Sequence, residues 1–293
     1  MMNQIESQVL HRLQEWEQKE GTLPRLLQFY RELLLIQSEA KSRIIVKKPG
    51  FVDGLVRDRL VEGIPLLLFE DFLPDWRQVQ LVFEQVAAWA GKDPGAPSEE
   101  GRRLRTTSSD INLLTMLSEI WYQGHSLEDL AWVESVNCEL LGSVIAAALK
   151  PFLSAYAELL SQEVDQELWR RRYCPICGGR PDFAYLDKDR GARWLLCSRC
   201  DAEWLFQRIE CPYCGTQKKE ALAYFAEEKP SLYRLYVCEE CHTYIKSIDL
   251  RRTGSEILLP LERMMTFGID RQALEAGYKP GVHRYSGLHD HVY

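Results

Sequence analysis

Arg172-Tyr173-Cys174-Pro175-Ile176-Cys177-Gly178 is the first of four stretches that decide how this chain folds. The others are Cys197-Ser198-Arg199-Cys200, Cys211-Pro212-Tyr213-Cys214-Gly215 and Cys238-Glu239-Glu240-Cys241. Two cysteines three apart on a tight turn can aim both thiolates at one ion, and a glycine after the turn lets backbone amides approach the sulfurs. Proline at the second position pre-sets φ for that turn. A tetrahedral ion then needs two such knuckles. Residues 178–196 separate the first pair and residues 215–237 the second; the first gap lies within the range of four-cysteine ribbons and the second slightly beyond it. The spacing predicts two tetrathiolate metal sites, one from Cys174, Cys177, Cys197 and Cys200, the other from Cys211, Cys214, Cys238 and Cys241. An interleaved pairing of the first and third knuckles is a minor alternative, as are disulfides or free thiols. A catalytic dithiol would need one CxxC opening a helix after a strand, a setting absent here. Thiolate-only tetrahedra suit zinc and iron alike. His242, beside Cys241, is read as a surface residue rather than a ligand.

The knuckles sit in an internal repeat. Ala184-Tyr185-Leu186, then Arg193-Trp194-Leu195-Leu196 before Cys197, corresponds to Ala223-Tyr224-Phe225, then Leu232-Tyr233-Arg234-Leu235-Tyr236-Val237 before Cys238. Each unit reads as knuckle, hairpin, knuckle. The predicted organisation is a helical domain over 1–170, four-cysteine metal modules of rubredoxin or zinc-ribbon type over 171–208 and 209–250, and a C-terminal helical segment and tail over 251–293. The fold class is α plus small β. On the amino-terminal side, Ile5, Val9, Leu10, Leu13 and Trp16 share a helical face, and Leu26 to Ile36 continue the pattern. Residues 50–73 read as an irregular connection, and a helix resumes near Pro74-Asp75. Another starts at Ser108 or Ser109. Ser126-Leu127-Glu128-Asp129 reads as an N-cap opening a segment that reaches Arg170 and bends at Pro151. Cys138 within it reads as a small buried hydrophobe. Beyond Asp249, Ile257 to Met265 and Asp270 to Leu274 read as helices, and the tail from Lys279 as loosely ordered.

The chain has 293 residues, 46% hydrophobic and 27% charged, the balance of a globular protein rather than a disordered one. Its longest uncharged stretch, Leu140 to Leu149, falls short of a membrane span, and Met1 to Glu6 lacks a secretory pattern. A cytoplasmic location and no membrane partner are expected. Eight of the nine cysteines fall between Cys174 and Cys241, which in a reducing compartment points to metal before disulfide.

The same segments resemble the formate dehydrogenase accessory protein family, FdhE. The likeness is carried by Arg172 to Gly178, by Arg193-Trp194-Leu195-Leu196-Cys197-Ser198-Arg199-Cys200-Asp201-Ala202-Glu203-Trp204, by Arg208-Ile209-Glu210-Cys211 and by Cys238-Glu239-Glu240-Cys241-His242-Thr243-Tyr244-Ile245-Lys246. Ile269-Asp270 and Ala276-Gly277-Tyr278 resemble the family's closing helix, whereas Pro260-Leu261-Glu262-Arg263 departs from the acidic pair and leucine that the family tends to carry before it. The resemblance implies a cytoplasmic maturation factor, not a catalyst, that engages the catalytic subunit of formate dehydrogenase. It also implies rubredoxin-like iron as readily as zinc.

Two other readings compete. A double zinc ribbon binding nucleic acid is disfavoured: the net charge is −7, residues 171–250 hold thirteen Lys/Arg against twelve Asp/Glu, and each zinc tetrathiolate centre adds −2. A rubredoxin-like electron carrier or redox regulator needs iron and a reversible one-electron couple. A hydrolase is the weakest reading, because a saturated tetrathiolate site leaves no coordination position for water, and His289-Asp290-His291 lies in the tail. Trp194, Trp204, Tyr213, Tyr233, Tyr236 and Tyr244 are candidates for a partner surface, expected at the junction of the helical domain and the ribbons.

Overall fold

The structure, a computed structural model, describes residues 4–51, 54–91, 103–104, 109–128, 137–225 and 232–282. The described chain divides into two compact units: residues 1–47 and 68–155 contribute to one, and residues 48–67 and 156–282 to the other.

The first unit is helical. Its main elements are α1 (Gln4–Glu20), α2 (Arg25–Arg43), α4 (Trp76–Ala90), α5 (Ile111–Gln123) and most of α6 (Cys138–Leu160). The apolar stripes bury Leu13, Leu27, Phe83, Val86, Leu114, Leu117 and Leu149. Trp89 stacks on Phe29 at 3.9 Å and donates its indole N–H to the Phe29 carbonyl. Asp110, not Ser108 or Ser109, caps α5, accepting from the amides of Asn112 and Leu113. The Ser126 hydroxyl does accept the Glu128 amide. The described start of α6, however, is capped by Asn137, which accepts from Leu140. Cys138 is therefore the half-buried first residue of α6 rather than a mid-helix core residue.

That helix ends at Leu160 and passes into a 3-10 turn at Ser161–Glu163, ten residues short of the expected Arg170. Pro151 is accommodated inside it. The stretch Cys138–Glu163 is long and apolar enough to cross a membrane, its most apolar 18-residue window having mean hydropathy 1.5, but 72% of that window is buried inside the protein. The ten-residue uncharged run understated it because the single charge of Lys150 ends that run while apolar sequence resumes at once from Pro151 to Ala157.

The second unit is built on one seven-stranded sheet. Its strands are β1 (Pro181–Leu186), β2 (Arg193–Cys197), β3 (Glu203–Phe206), β4 (Leu222–Phe225), β5 (Tyr233–Cys238), β6 (Thr243–Asp249) and β7 (Lys279–Pro280). The order is β3-β2-β1-β6-β5-β4, with β7 paired to β6. Each repeat supplies an antiparallel meander, so both expected hairpins, β1–β2 and β4–β5, are present and each gains a third strand. The meanders join through a parallel pairing of β1 with β6, Phe183 opposite Lys246 and Leu186 opposite Asp249. Every residue of β6 is buried. The loosely ordered tail expected from Lys279 is corrected at Lys279 and Pro280, whose pairing with Thr243 and Tyr244 extends the sheet.

Two further elements hold the sheet. Residues 50–73, read as irregular, contain α3 (Leu55–Glu62), which the Gly and Pro punctuation on either side had masked. The helices α7 (Leu259–Met265) and α8 (Phe267–Glu275) match the two expected C-terminal helical segments. Lys246 donates to Asp270 at 2.6 Å and to the Arg263 carbonyl, tying β6 to both. At the end of β6, the Asp249 side chain is 1% exposed and meets Arg234 at 3.0 Å, Arg251 at 2.8 Å and Arg252 at 3.5 Å. Hydrogen bonding from Arg251 holds this carboxyl below its ordinary value. Its stabilisation is thus present at neutral pH and lost only as the pH falls below the usual carboxylate range near about 4. Asp249→Asn removes the carboxylate shared by Arg234, Arg251 and Arg252, whose side chains are 13–42% exposed, and is expected to cost about 2 kcal/mol at pH 7, read by urea unfolding.

Candidate metal centre

All four knuckles use the same backbone device. The residue after the second cysteine has positive φ in each: Gly178 at 68°, Asp201 at 59°, Gly215 at 79° and His242 at 51°. This left-handed step turns the chain back so that both sulfurs face inward. In the first and third knuckles it also lets Gly178 N–H bond the Cys174 carbonyl and Gly215 N–H bond the Cys211 carbonyl, each at 3.0 Å. Asp and His are the non-glycine residues that tolerate this region best after Asn, because their short polar side chains bond locally. Asp201 and His242 are the only non-glycine residues with positive φ among those described. His242 is exposed and outside the sulfur cluster; its role is in the backbone, and its carbonyl accepts the Lys279 amide at 2.7 Å.

The eight sulfurs gather in two fours, Cys174, Cys177, Cys197, Cys200 and Cys211, Cys214, Cys238, Cys241, with the atoms of each group within 4.8 Å of one another. In the first, Cys174 lies 3.6 Å from Cys200, and Cys177 lies 3.5 Å from Cys197 and 3.4 Å from Cys200. In the second, Cys211 to Cys241 and Cys214 to Cys238 are both 3.7 Å. A tetrahedron with metal–sulfur bonds of about 2.3 Å has an edge of about 3.8 Å, whereas a disulfide needs about 2.05 Å. The donor set therefore fits a tetrathiolate ion, and the interleaved and disulfide pairings are not seen. Backbone amides of Ile176, Arg199 and Tyr213 each lie 3.4 Å from the sulfur two residues earlier, where they would stabilise bound thiolates.

Without a cation the cages are electrostatically strained. Burial pushes the Cys174 and Cys200 thiols well above their ordinary value. Cys177 bears the same burial penalty but is drawn below it by hydrogen bonds from its three neighbours. In the second cage burial pushes Cys238 up to about 11. Cys241, half-buried, is lowered despite burial by the Thr243 hydroxyl at 2.7 Å. A divalent or trivalent ion relieves this competition by binding all four sulfurs deprotonated.

The two cages differ in their surroundings. The first is fully enclosed, its cysteines at 0–1% exposure. Leu66 and Leu67 donate to the carbonyls of Pro175 and Ile176 at 2.8 Å, and Tyr173 donates to Gly63, so residues 63–67 strap the first knuckle. Arg263 of α7 clamps the second knuckle, donating to Asp201 at 2.8 Å and to the Cys197 carbonyl at 3.1 Å. The second cage has Cys214 exposed and Cys241 half-buried. Gly179 is required by close approach: a Cβ there would lie 2.9 Å from the Cys197 sulfur and 2.8 Å from Arg199 Cδ. Gly179→Ala should cost about 1–3 kcal/mol. Competition with a chromogenic chelator should show weaker metal retention at the first cage and no change at the second.

Sequence reasoning missed the strap at residues 63–67 and the Arg263 clamp, since neither carries a motif. The aromatic candidates divide by burial. Trp204, Tyr213 and Tyr244 are buried and donate to the Arg171 carbonyl, the Pro181 carbonyl and Asp270. Trp194, Tyr233 and Tyr236 are half-buried. The aromatics most open to solvent in the repeats are instead Tyr224 and Phe225 on β4, at 56% and 52% exposure. His289, Asp290 and His291 lie outside the described residues.

Comparison with known proteins agrees with this geometry. Residues 173–208 match the model of the FdhE central domain. A protein FdhE homolog of Aquifex aeolicus is 32% identical over 147 residues, 49% of this chain and 50% of that protein. One of Shewanella sp. strain MR-4 is 34% identical over 112 residues, 37% of each chain. The aligned part thus spans half or less of these relatives' length. The crystal structure of the FdhE protein from Pseudomonas aeruginosa has the same fold at TM-score 0.62, covering 97% of this chain and 95% of that one at 20% identity. A helical amino-terminal region, a sheet carrying two four-cysteine clusters and the fold seen in an FdhE protein together bear out the resemblance to the FdhE family, with residues 173–208 matching the model of its central domain.

Proposed function

We propose that this chain is an accessory factor for formate dehydrogenase maturation that binds the enzyme's catalytic subunit in the cytoplasm and is not itself a catalyst. The observation carrying the reading is the enclosed first cage within the FdhE central-domain match, held by a strap and an arginine clamp that leave no coordination position for a substrate. Cys174, Cys177, Cys197 and Cys200 hold one iron or zinc ion, and Cys211, Cys214, Cys238 and Cys241 another. The ions' contribution is to fold the knuckles. The chain's contribution is the surface they hold in place.

A pull-down from anaerobically grown cells expressing a tagged full-length chain tests this. Recovery of the formate dehydrogenase catalytic subunit supports it; recovery of nucleic acid or ribosomal proteins without that subunit overturns it. A rubredoxin-like electron carrier is the second reading, favoured by the exposed residue Cys214, which sets the second cage near the surface. It requires iron in protein purified without air and a reversible one-electron couple. Zinc in both cages removes it.

A further inference from the structure

A cavity of about 250 Å³ opens on the sheet within the second unit; Cys211 and Cys238 of the second cage form part of its lining, and the reading above gives the basic and aromatic remainder no role. Arg193, Arg208 and Lys219 line it against a single carboxylate, Glu210, whose Oε2 accepts from Gln217. Tyr224, Tyr236 and Val237 supply an apolar and aromatic wall. The distinctive group is Arg193 on β2, only 4% exposed. Its Nη1 donates to the Glu210 main-chain carbonyl at 3.1 Å, and its guanidinium lies 5.1 Å from the Tyr236 ring. Its Nε and Nη2 are buried and have no hydrogen-bond partner.

Elsewhere in the second unit, largely buried arginines, their side chains 13–15% exposed, are met by carboxylates. Arg234 has Asp249 at 3.0 Å, and Arg263 has Asp182 at 3.2 Å and Asp201 at 2.8 Å. Arg193 alone of the three has no such partner among the described residues. A buried cation without a paired carboxylate is costly: burial, with nearby Arg208, pulls the guanidinium below its ordinary value, against the opposing influence of Tyr236, Tyr213 and the second-cage residue Cys211. The two unpartnered atoms, though buried, are also those of one guanidinium edge. Nε–H and one Nη2–H point in parallel, the fork that accepts both oxygens of a carboxylate.

We propose that this cavity is a binding site for a carboxylate borne on a short apolar or aromatic body, held by the Nε/Nη2 edge of Arg193 with Arg208 and Lys219 supplying positive field at the mouth. The volume falls just below the range of drug-sized pockets, about 300–1,000 Å³, and suits a body of one or two residues' size. Such a carboxylate can come from a free small acid or from the terminus of a peptide. The inference stands independently of the proposed partner.

The test uses the full-length, metal-loaded chain, measuring affinities by isothermal titration calorimetry for parent and variants alike and following the parent's arginine Nε–H resonances by NMR, with 3-phenylpropanoate, a short blocked peptide ending in a free phenylalanine carboxylate, the corresponding amides, and inorganic phosphate as titrants. Either acid should shift the Arg193 Nε–H resonance with a Kd of about 1 mM or tighter, while the amides bind at least about tenfold more weakly. A peptide acid bound about tenfold tighter than the free acid identifies a chain terminus as the source; equal affinity identifies a free acid. Arg193→Lys keeps the charge and removes the fork, and should keep both metal equivalents while weakening acid binding about tenfold. Arg193→Met should bind neither acid. The proposal is overturned if neither acid binds, if amides or phosphate bind as well as the acids, or if Arg193→Lys binds like the parent. It is equally overturned if Arg193→Met loses the second metal while acid binding is unchanged, since Arg193 would then serve only as a counter-charge to the second cage.

Discussion

Replacing Cys174 and Cys177 together with serine is expected to remove one metal equivalent from the two and to melt much of the sheet unit, while the helices of the first unit keep their circular dichroism signal. Apparent binding free energies for structural tetrahedral zinc are about 10–16 kcal/mol, which exceeds the whole stability of a typical domain. The damage should spread further than one knuckle. Cys174 and Cys177 precede β1, which lies at the centre of the sheet and pairs with β2 on one side and β6 on the other. The carbonyls of Pro175 and Ile176 that anchor Leu66 and Leu67 belong to the same turn. An unfolding transition lowered by more than about 10 °C, with one metal equivalent by elemental analysis, is the expected result. Retention of both equivalents would refute the grouping of sulfurs.

How much of this was legible in the sequence follows from where the information is local. A CxxC knuckle is specified by four or five adjacent residues, so the two cysteine groups, the hairpins between them and the α-then-β division could be read directly. The positive φ after each second cysteine was half legible. Gly178 and Gly215 announce it, whereas Asp201 and His242 adopt it without a glycine. His242 consequently read as a bystander. The parallel pairing of β1 with β6 was not legible, since it joins the first strand of one repeat to the last of the other and each strand's own pattern is indifferent to its neighbour. Nor was the strap at residues 63–67, which contacts the first knuckle more than a hundred residues away in sequence. The error at Arg170 has a simpler cause: Trp169 and Leu168 extend the apolar pattern, but the Asp165 carbonyl accepts from both their amides in turns rather than in a continuing helix.

Enclosure should make the two ions leave at very different rates. Release to a small chelator requires a sulfur or the ion itself to be reached from solvent, and the four cysteines of the first cage are at most 1% exposed. In the second, Cys214 is exposed and Cys241 half-buried, so a ligand can attack at that corner without opening the sheet. The first ion can leave only through local unfolding of the knuckles, which carries a free-energy cost of its own. Challenge with excess chelator at neutral pH is therefore expected to be biphasic, one equivalent leaving at least about tenfold faster than the other, a barrier difference of about 1.4 kcal/mol or more. The fast phase should disappear in a Cys211→Ser/Cys214→Ser variant, which never loads the second cage, and persist in Gly179→Ala. A thiol-alkylating reagent should mark Cys214 first as that phase proceeds. Equal rates for the two ions, or a fast phase that survives loss of Cys211 and Cys214, would mean that exposure of Cys214 does not control access and that the second cage is sealed by something other than the residues surrounding it.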